Sequence, residues 1–121
     1  MNTQCRGIRG AITVEKNVKT LIMSATNELL KDMLDKNNIQ PDDIVSIFFS
    51  ITRDLDKAFP AAAAREQGLT HTPLLCLNEI EVEGSLKKCI RILLHINTTK
   101  HQKDLRHSYL KGAKILRPDL Q

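Results

Sequence analysis

The apolar positions of this chain change spacing along its length, and each spacing predicts an element. Over residues 5–14, Ile8, Ile12 and Val14 share one parity and Arg9 takes the other. That alternation predicts a strand, with Gly7 and Gly10 allowing close approach or a bulge. From 18 to 36 the rhythm becomes helical: Val18, Leu21, Ile22, Ala25, Leu29 and Met33 form one stripe, and Asn17 is placed to cap it. Residues 44–52 are apolar at nearly every position, β-branched or aromatic, which predicts a strand covered on both faces. Pro60, four alanines and Gly68 predict a short helix over 59–68. Residues 72–84 begin as a strand. Cys76 and Glu79 differ in parity there, so they share a site only if the chain bends near Asn78. A strand over 85–96, a helix over 101–111 stopped by Gly112 and a last strand over 113–118 complete the order β-α-β-α-β-β-α-β. This order predicts an α/β or α+β fold, a mixed sheet with helices on one side. No repeat, low-complexity run or linker interrupts it, so a single domain over residues 1–121 is expected.

Composition narrows the class. Hydrophobic residues at 41% and charged residues at 26% are globular proportions, and 121 residues suffice for a core without staples. Aromatics are only 3%, so that core must be aliphatic. No apolar run approaches the roughly 20 residues of a bilayer span, and MNTQCRGIRG lacks the apolar stretch of a secretory signal. Cysteines 5, 76 and 89, an odd number, make no disulfide framework, so reduced thiols and a cytoplasmic location are expected. The net charge of +4 resides in residues 97–121, which carry six Lys or Arg against two Asp. There is no RNP-like aromatic motif, zinc spacing or Gly-rich phosphate loop. A solvated basic surface or a small-anion site is therefore expected ahead of a nucleic-acid interface.

Within residues 87–96, Ile90, Ile92, Leu94 and Ile96 suffice for a core face, yet Arg91 lies among apolar neighbours. It cannot lose its charge there. One reading is architectural, an ion pair with Glu79 or Glu81. Because desolvation offsets much of a buried pair's attraction, the other reading is that Arg91 binds a ligand. Arg9 beside Gly10, Arg65 at a helix end and Arg117 before Pro118 present further planar forks, matched to carboxylates. For Arg65 the helix dipole alone is a sufficient account. A small polycarboxylate is the ligand this set suggests. No Ser-His-Asp set, HExxH motif or paired thiols supports covalent or metal chemistry, so neither metal nor cofactor is expected.

Four segments then carry a resemblance: RGIRGAITVE (6–15), DLDKAFPAAAARE (54–66), LKKCIRI (86–92) and RHSYLKGAKILRPDL (106–120). In order and near-constant spacing they resemble the monofunctional chorismate mutase family of the trimeric α/β-barrel type. The resemblance implies an isomerase that converts chorismate to prephenate in aromatic amino-acid synthesis. It implies a cofactor-free homotrimer whose sheets form a pseudo-barrel, with active sites between adjacent subunits and no nucleic-acid or membrane partner. Carried over, Arg91 would contact the ether oxygen and a carboxylate, and Glu79 and Cys76 the ring hydroxyl. Arg9 and Tyr109 would hold the side-chain carboxylate. Phe59 and Arg65 would come from the neighbouring subunit, with Arg117 near the mouth. Two rim positions depart, Ala62 replacing a lysine and Leu75 a threonine. An imine-deaminase-like trimer is the alternative, since it too uses an arginine for a carboxylate. An RNA-binding module built on the basic C-terminal quarter is a third reading, which would leave Arg91 unexplained.

Overall fold

The computed structural model describes residues 2–120. Its elements are β1 (Gln4–Thr13), α1 (Lys19–Lys36), β2 (Ile44–Ile51), α2 (Pro60–Glu66), β3 (Leu74–Asn78), β4 (Cys89–Thr98) and β5 (Ser108–Leu110). The strands form one mixed sheet in the order β3-β2-β4-β1-β5. β4 is antiparallel to both β1 and β2, whereas β3 and β5 run parallel to their neighbours at the two edges. Both helices pack on one face, so the fold is α+β, as the element order predicts. No described helix is long and apolar enough to cross a membrane.

The core lies between helices and sheet. Ile8 and Ile12 of β1, Ile47 and Phe49 of β2, and Ile90, Ile92 and Leu94 of β4 meet Ile22, Leu29, Leu30 and Met33 of α1. Each fully buried side chain of this kind stabilises the fold by roughly 1.5–3 kcal/mol relative to exposure. Gly10 is needed where α1 crosses β1. A Cβ there would stand 2.5 Å from Met33 Sδ and 3.0 Å from Leu29 Cδ1. Asn17 does not cap α1. The helix begins one residue later, and the Asn17 side chain bonds Asp56 instead, donating to Oδ1 at 2.7 Å and accepting the Asp56 N–H at 3.0 Å. Gly68 follows α2 with φ +93°, the left-handed stop its position suggests.

The segment 101–118 differs most from the sequence expectation. Neither the helix over 101–111 nor the strand over 113–118 forms. The chain makes a short turn at Gln102–Asp104, the strand β5 and a 3₁₀ segment at Lys111–Leu116. The free edge of β1 explains the change, because unpaired backbone groups need partners. Gln102 brackets Gly7, its Oε1 accepting the N–H at 3.1 Å and its Nε2 donating to the C=O at 2.6 Å. His107 Nδ1 accepts the Arg9 N–H at 2.9 Å. Ser108, Tyr109 and Leu110 then align with Gly10, Ala11 and Ile12. Gly112 is a close-approach residue rather than a helix stop, since a Cβ would meet Thr13 Oγ1 at 2.8 Å.

The two faces of the sheet differ. The expectation that 44–52 is covered on both sides is not met within one chain: Ile47, Phe49 and Ile51 are buried, but Phe48 on the opposite face is only half-buried. In register with Phe48 lie Leu75 of β3 and Leu93 of β4, both exposed. This open face is apolar toward the β3 edge and cationic toward β1.

Candidate active site

Register places the charged residues. A row crosses all five strands of the sheet: Leu77 of β3 pairs with Ser50 of β2, Ser50 with Arg91 of β4, Arg91 with Ala11 of β1, and Ala11 with Tyr109 of β5. A second row runs Leu75, Phe48, Leu93, Arg9. Partners in register share a face, so Arg9, Arg91 and Tyr109 all lie on the side away from the helices. Small Ala11 between Arg91 and Tyr109 leaves a hollow of about 380 Å³, which these residues line together with Ser50 and Glu79.

Glu79 follows the end of β3, its N–H donating to Ile51 C=O at 2.9 Å. Its Oε1 accepts the Ser50 hydroxyl at 2.7 Å and lies 3.1 Å from Arg91 Nε. That ion pair is close in distance only. The Nε–H does not point at the carboxylate, and Nε, itself buried, has no aligned acceptor. The architectural partner foreseen for Arg91 is thus present, but it leaves the guanidinium's donors unsaturated. Tyr109 is buried in a small cluster with Ala11, Cys89 and Ala113. Burial pushes the Cys89 thiol up to about 11, with Glu79 adding to the effect and Arg91 opposing it, so it stays protonated at neutral pH.

His107 supports Arg9 from beneath. Burial, then the Arg9 and Arg117 guanidinium groups, hold its imidazole below the ordinary histidine value, so the neutral ring that accepts the Arg9 N–H is favoured. A folded-state pKa below the unfolded one gives stability that is complete above the unfolded value of about 6.5 and is lost as pH falls through the folded value. Thermal unfolding between about pH 8 and pH 4.5 should therefore show an acid-side loss that His107→Asn lacks, because asparagine offers a non-titrating acceptor. Superimposable pH profiles for the two proteins would contradict this role.

The remaining expected site residues do not line this hollow, although Arg117 is close enough to act electrostatically on His107 and Tyr109. Cys76 pairs with Phe49 and so faces the helices, where it borders a larger cavity of about 640 Å³ with Phe59 and Ala62. Within one chain it does not share the Arg91 hollow with Glu79. Leu77 borders both cavities. Phe59 is 73% exposed, and Arg65 is exposed on α2. Arg117 donates to Asp119 from Nε at 3.0 Å and Nη2 at 2.8 Å; that hydrogen bond holds the Asp119 carboxyl below its usual range. Ser50 and His107 were not singled out in the sequence. Ser50 had a signal: with Ser46 it marks the non-core parity of an otherwise apolar strand.

Two carboxylate-matched forks, a tyrosine and a carboxylate held by Ser50 surround one hollow, an arrangement suited to the class of proteins that bind a small hydroxylated polycarboxylate. The chorismate mutase type I family matches residues 5–120. The chain belongs to that family. It is 43% identical to chorismate mutase AroH of Bacillus subtilis (strain 168) over 116 residues, which cover 95% of this chain and 91% of the relative. It is 49% identical to chorismate mutase AroH of Thermus thermophilus over 117 residues, 96% of each chain. A solved chorismate mutase from Clostridium thermocellum superimposes with a TM-score of 0.89 at 55% identity, covering 90% of this chain and 97% of that one. Family membership takes the reading away from the imine-deaminase-like alternative.

Proposed function

We propose that this chain isomerises chorismate to prephenate in clefts between adjacent subunits of a homotrimer, with Arg91 as the principal catalytic group. Family membership supports the reaction. The single observation behind the site assignment is the row across the sheet that gathers Arg91, Tyr109 and Ser50-bound Glu79 around one hollow. The rearrangement is unimolecular: one C–O bond breaks, one C–C bond forms, and no atom enters or leaves. It requires no nucleophile, proton donor or cofactor. As C–O cleavage runs ahead of C–C formation, negative charge builds on the ether oxygen. A fixed guanidinium stabilises that charge more than it stabilises the ground state. Arg9 and Tyr109 hold the side-chain carboxylate and Glu79 accepts the ring hydroxyl, which keeps the enolpyruvyl arm over the ring and lowers the entropic barrier.

The trimer draws support from the open face, where Leu75, Leu77 and Leu93 are exposed and Phe48 is only half-buried, and from the exposed Phe59. Cys76, on the Phe59 side of the sheet, reaches the ring hydroxyl from the neighbouring subunit, as do Phe59 and Arg65 their own contacts. Arg117 lies at the mouth, and the location is cytoplasmic. Purified protein without added cofactor should consume chorismate absorbance and yield prephenate. Cys76→Ser should keep most of that activity, because a thiol contributes only a weak hydrogen bond, whereas Glu79→Ala should lose the bulk of it. An inert wild-type protein refutes the reaction; equally severe losses in both variants refute the roles.

A further inference from the structure

Glu79 and Arg91 are close enough to capture each other completely. A carboxylate beside a guanidinium ordinarily settles into a two-point pair, each oxygen taking one N–H, and such a pair uses up the donors a ligand would need. That arrangement is absent. The closest approach is Oε1 to Arg91 Nε at 3.1 Å, it is misaligned, and no aligned hydrogen bond joins the two side chains. Arg91 Nη1 and Nη2 make no hydrogen bond to any described residue, and Oε2 accepts none. The group that differs from an isolated pair is the Ser50 hydroxyl, 2.7 Å from Oε1 and part-buried. The Ser50 hydroxyl is the donor and the carboxylate oxygen the acceptor. Ser50 stands on β2 directly opposite Arg91 in the sheet, which fixes where Oε1 can be.

From this geometry we infer that Ser50 is a positioning residue that holds Glu79 off the Arg91 fork. Its hydrogen bond retains Oε1 at the edge of the guanidinium. Both Nη groups then remain available to substrate oxygens, and Oε2 remains available to a substrate hydroxyl. Without it, Glu79 swings into the two-point pair, and the substrate must displace a carboxylate before Arg91 can act. The inference rests on the proposed reaction for its kinetic consequence, though not for its structural one.

Ser50→Ala should lower kcat/KM about tenfold, the scale of one hydrogen bond to a charged group. Ser50→Cys, close in volume and a weak donor, should behave similarly. In a Glu79→Gln background, where no carboxylate can capture Arg91, Ser50→Ala should change kcat/KM less than about twofold. A crystal structure of the Ser50→Ala protein, which needs no activity, should show both Glu79 oxygens on the Arg91 fork. Full activity in the Ala or Cys variant overturns the inference, as does an equal loss in both backgrounds. So does a Glu79 carboxylate left where it is now. An inactive wild-type protein with the captured pair in the Ser50→Ala crystal would instead sink the proposed reaction and leave the positioning role standing.

Discussion

Arg91→Ala should depress kcat by on the order of 10²–10³ while KM moves far less, because the lost interaction is stronger in the transition state than in the ground state. The structure supplies the reason for expecting a rate effect. Arg91 is held on the central strand β4 between β1 and β2, so its position is fixed before substrate arrives. Its partner Glu79 engages it at one misaligned point, which leaves the fork free. Arg91→Lys keeps the charge but loses the planar fork, and should restore only part of the rate. Arg65→Ala, which removes a cation from an exposed helix, should chiefly raise KM. Steady-state kinetics on variants with unchanged circular dichroism decide the matter. Near-normal turnover in Arg91→Ala would make this arginine architectural.

Leu75→Glu should convert the proposed trimer to monomers and remove nearly all activity while leaving the chain folded. Leu75 is 50% exposed, on the β3 edge of the open face beside Phe48, and borders neither of the two cavities. A charge there costs the single chain little, since the position is already wet. In an assembly that covers this face it would be desolvated without a partner, a cost of several kcal/mol at each of three copies. The four apolar side chains at stake, Phe48, Leu75, Leu77 and Leu93, are each worth about 1.5–3 kcal/mol if fully buried. Sedimentation at micromolar concentration should find the variant monomeric. A trimeric, active Leu75→Glu protein, or a wild-type monomer with full activity, would remove the intersubunit site.

Much of the candidate site was legible because a strand has a period of two. Arg91 against its isoleucines, and Arg9 against Ile8, declare by parity alone that they leave the core face. The same arithmetic separated Cys76 from Glu79, and the structure puts them on different faces, Cys76 against Phe49 and Glu79 against Ser50. The resemblance carried by four short segments was specific enough to reach the family without the fold.

Other features depended on long-range pairing, which local spacing does not encode. Residues 101–111 satisfy helical spacing, yet the unpaired edge of β1 draws Gln102, His107 and β5 onto it. Backbone groups left unbonded there would cost more than a marginal helix of that length could return. Tyr109 reaches the Arg91 hollow only through that override. Likewise Ser50 reads locally as one polar break in an apolar run, and its hold on Glu79 exists because β2, β3 and β4 are brought side by side. The sequence alone therefore determined which side chains leave the core, through side-chain periodicity. Tertiary structure alone decided which of them meet, because strand order and register join residues that are distant along the chain.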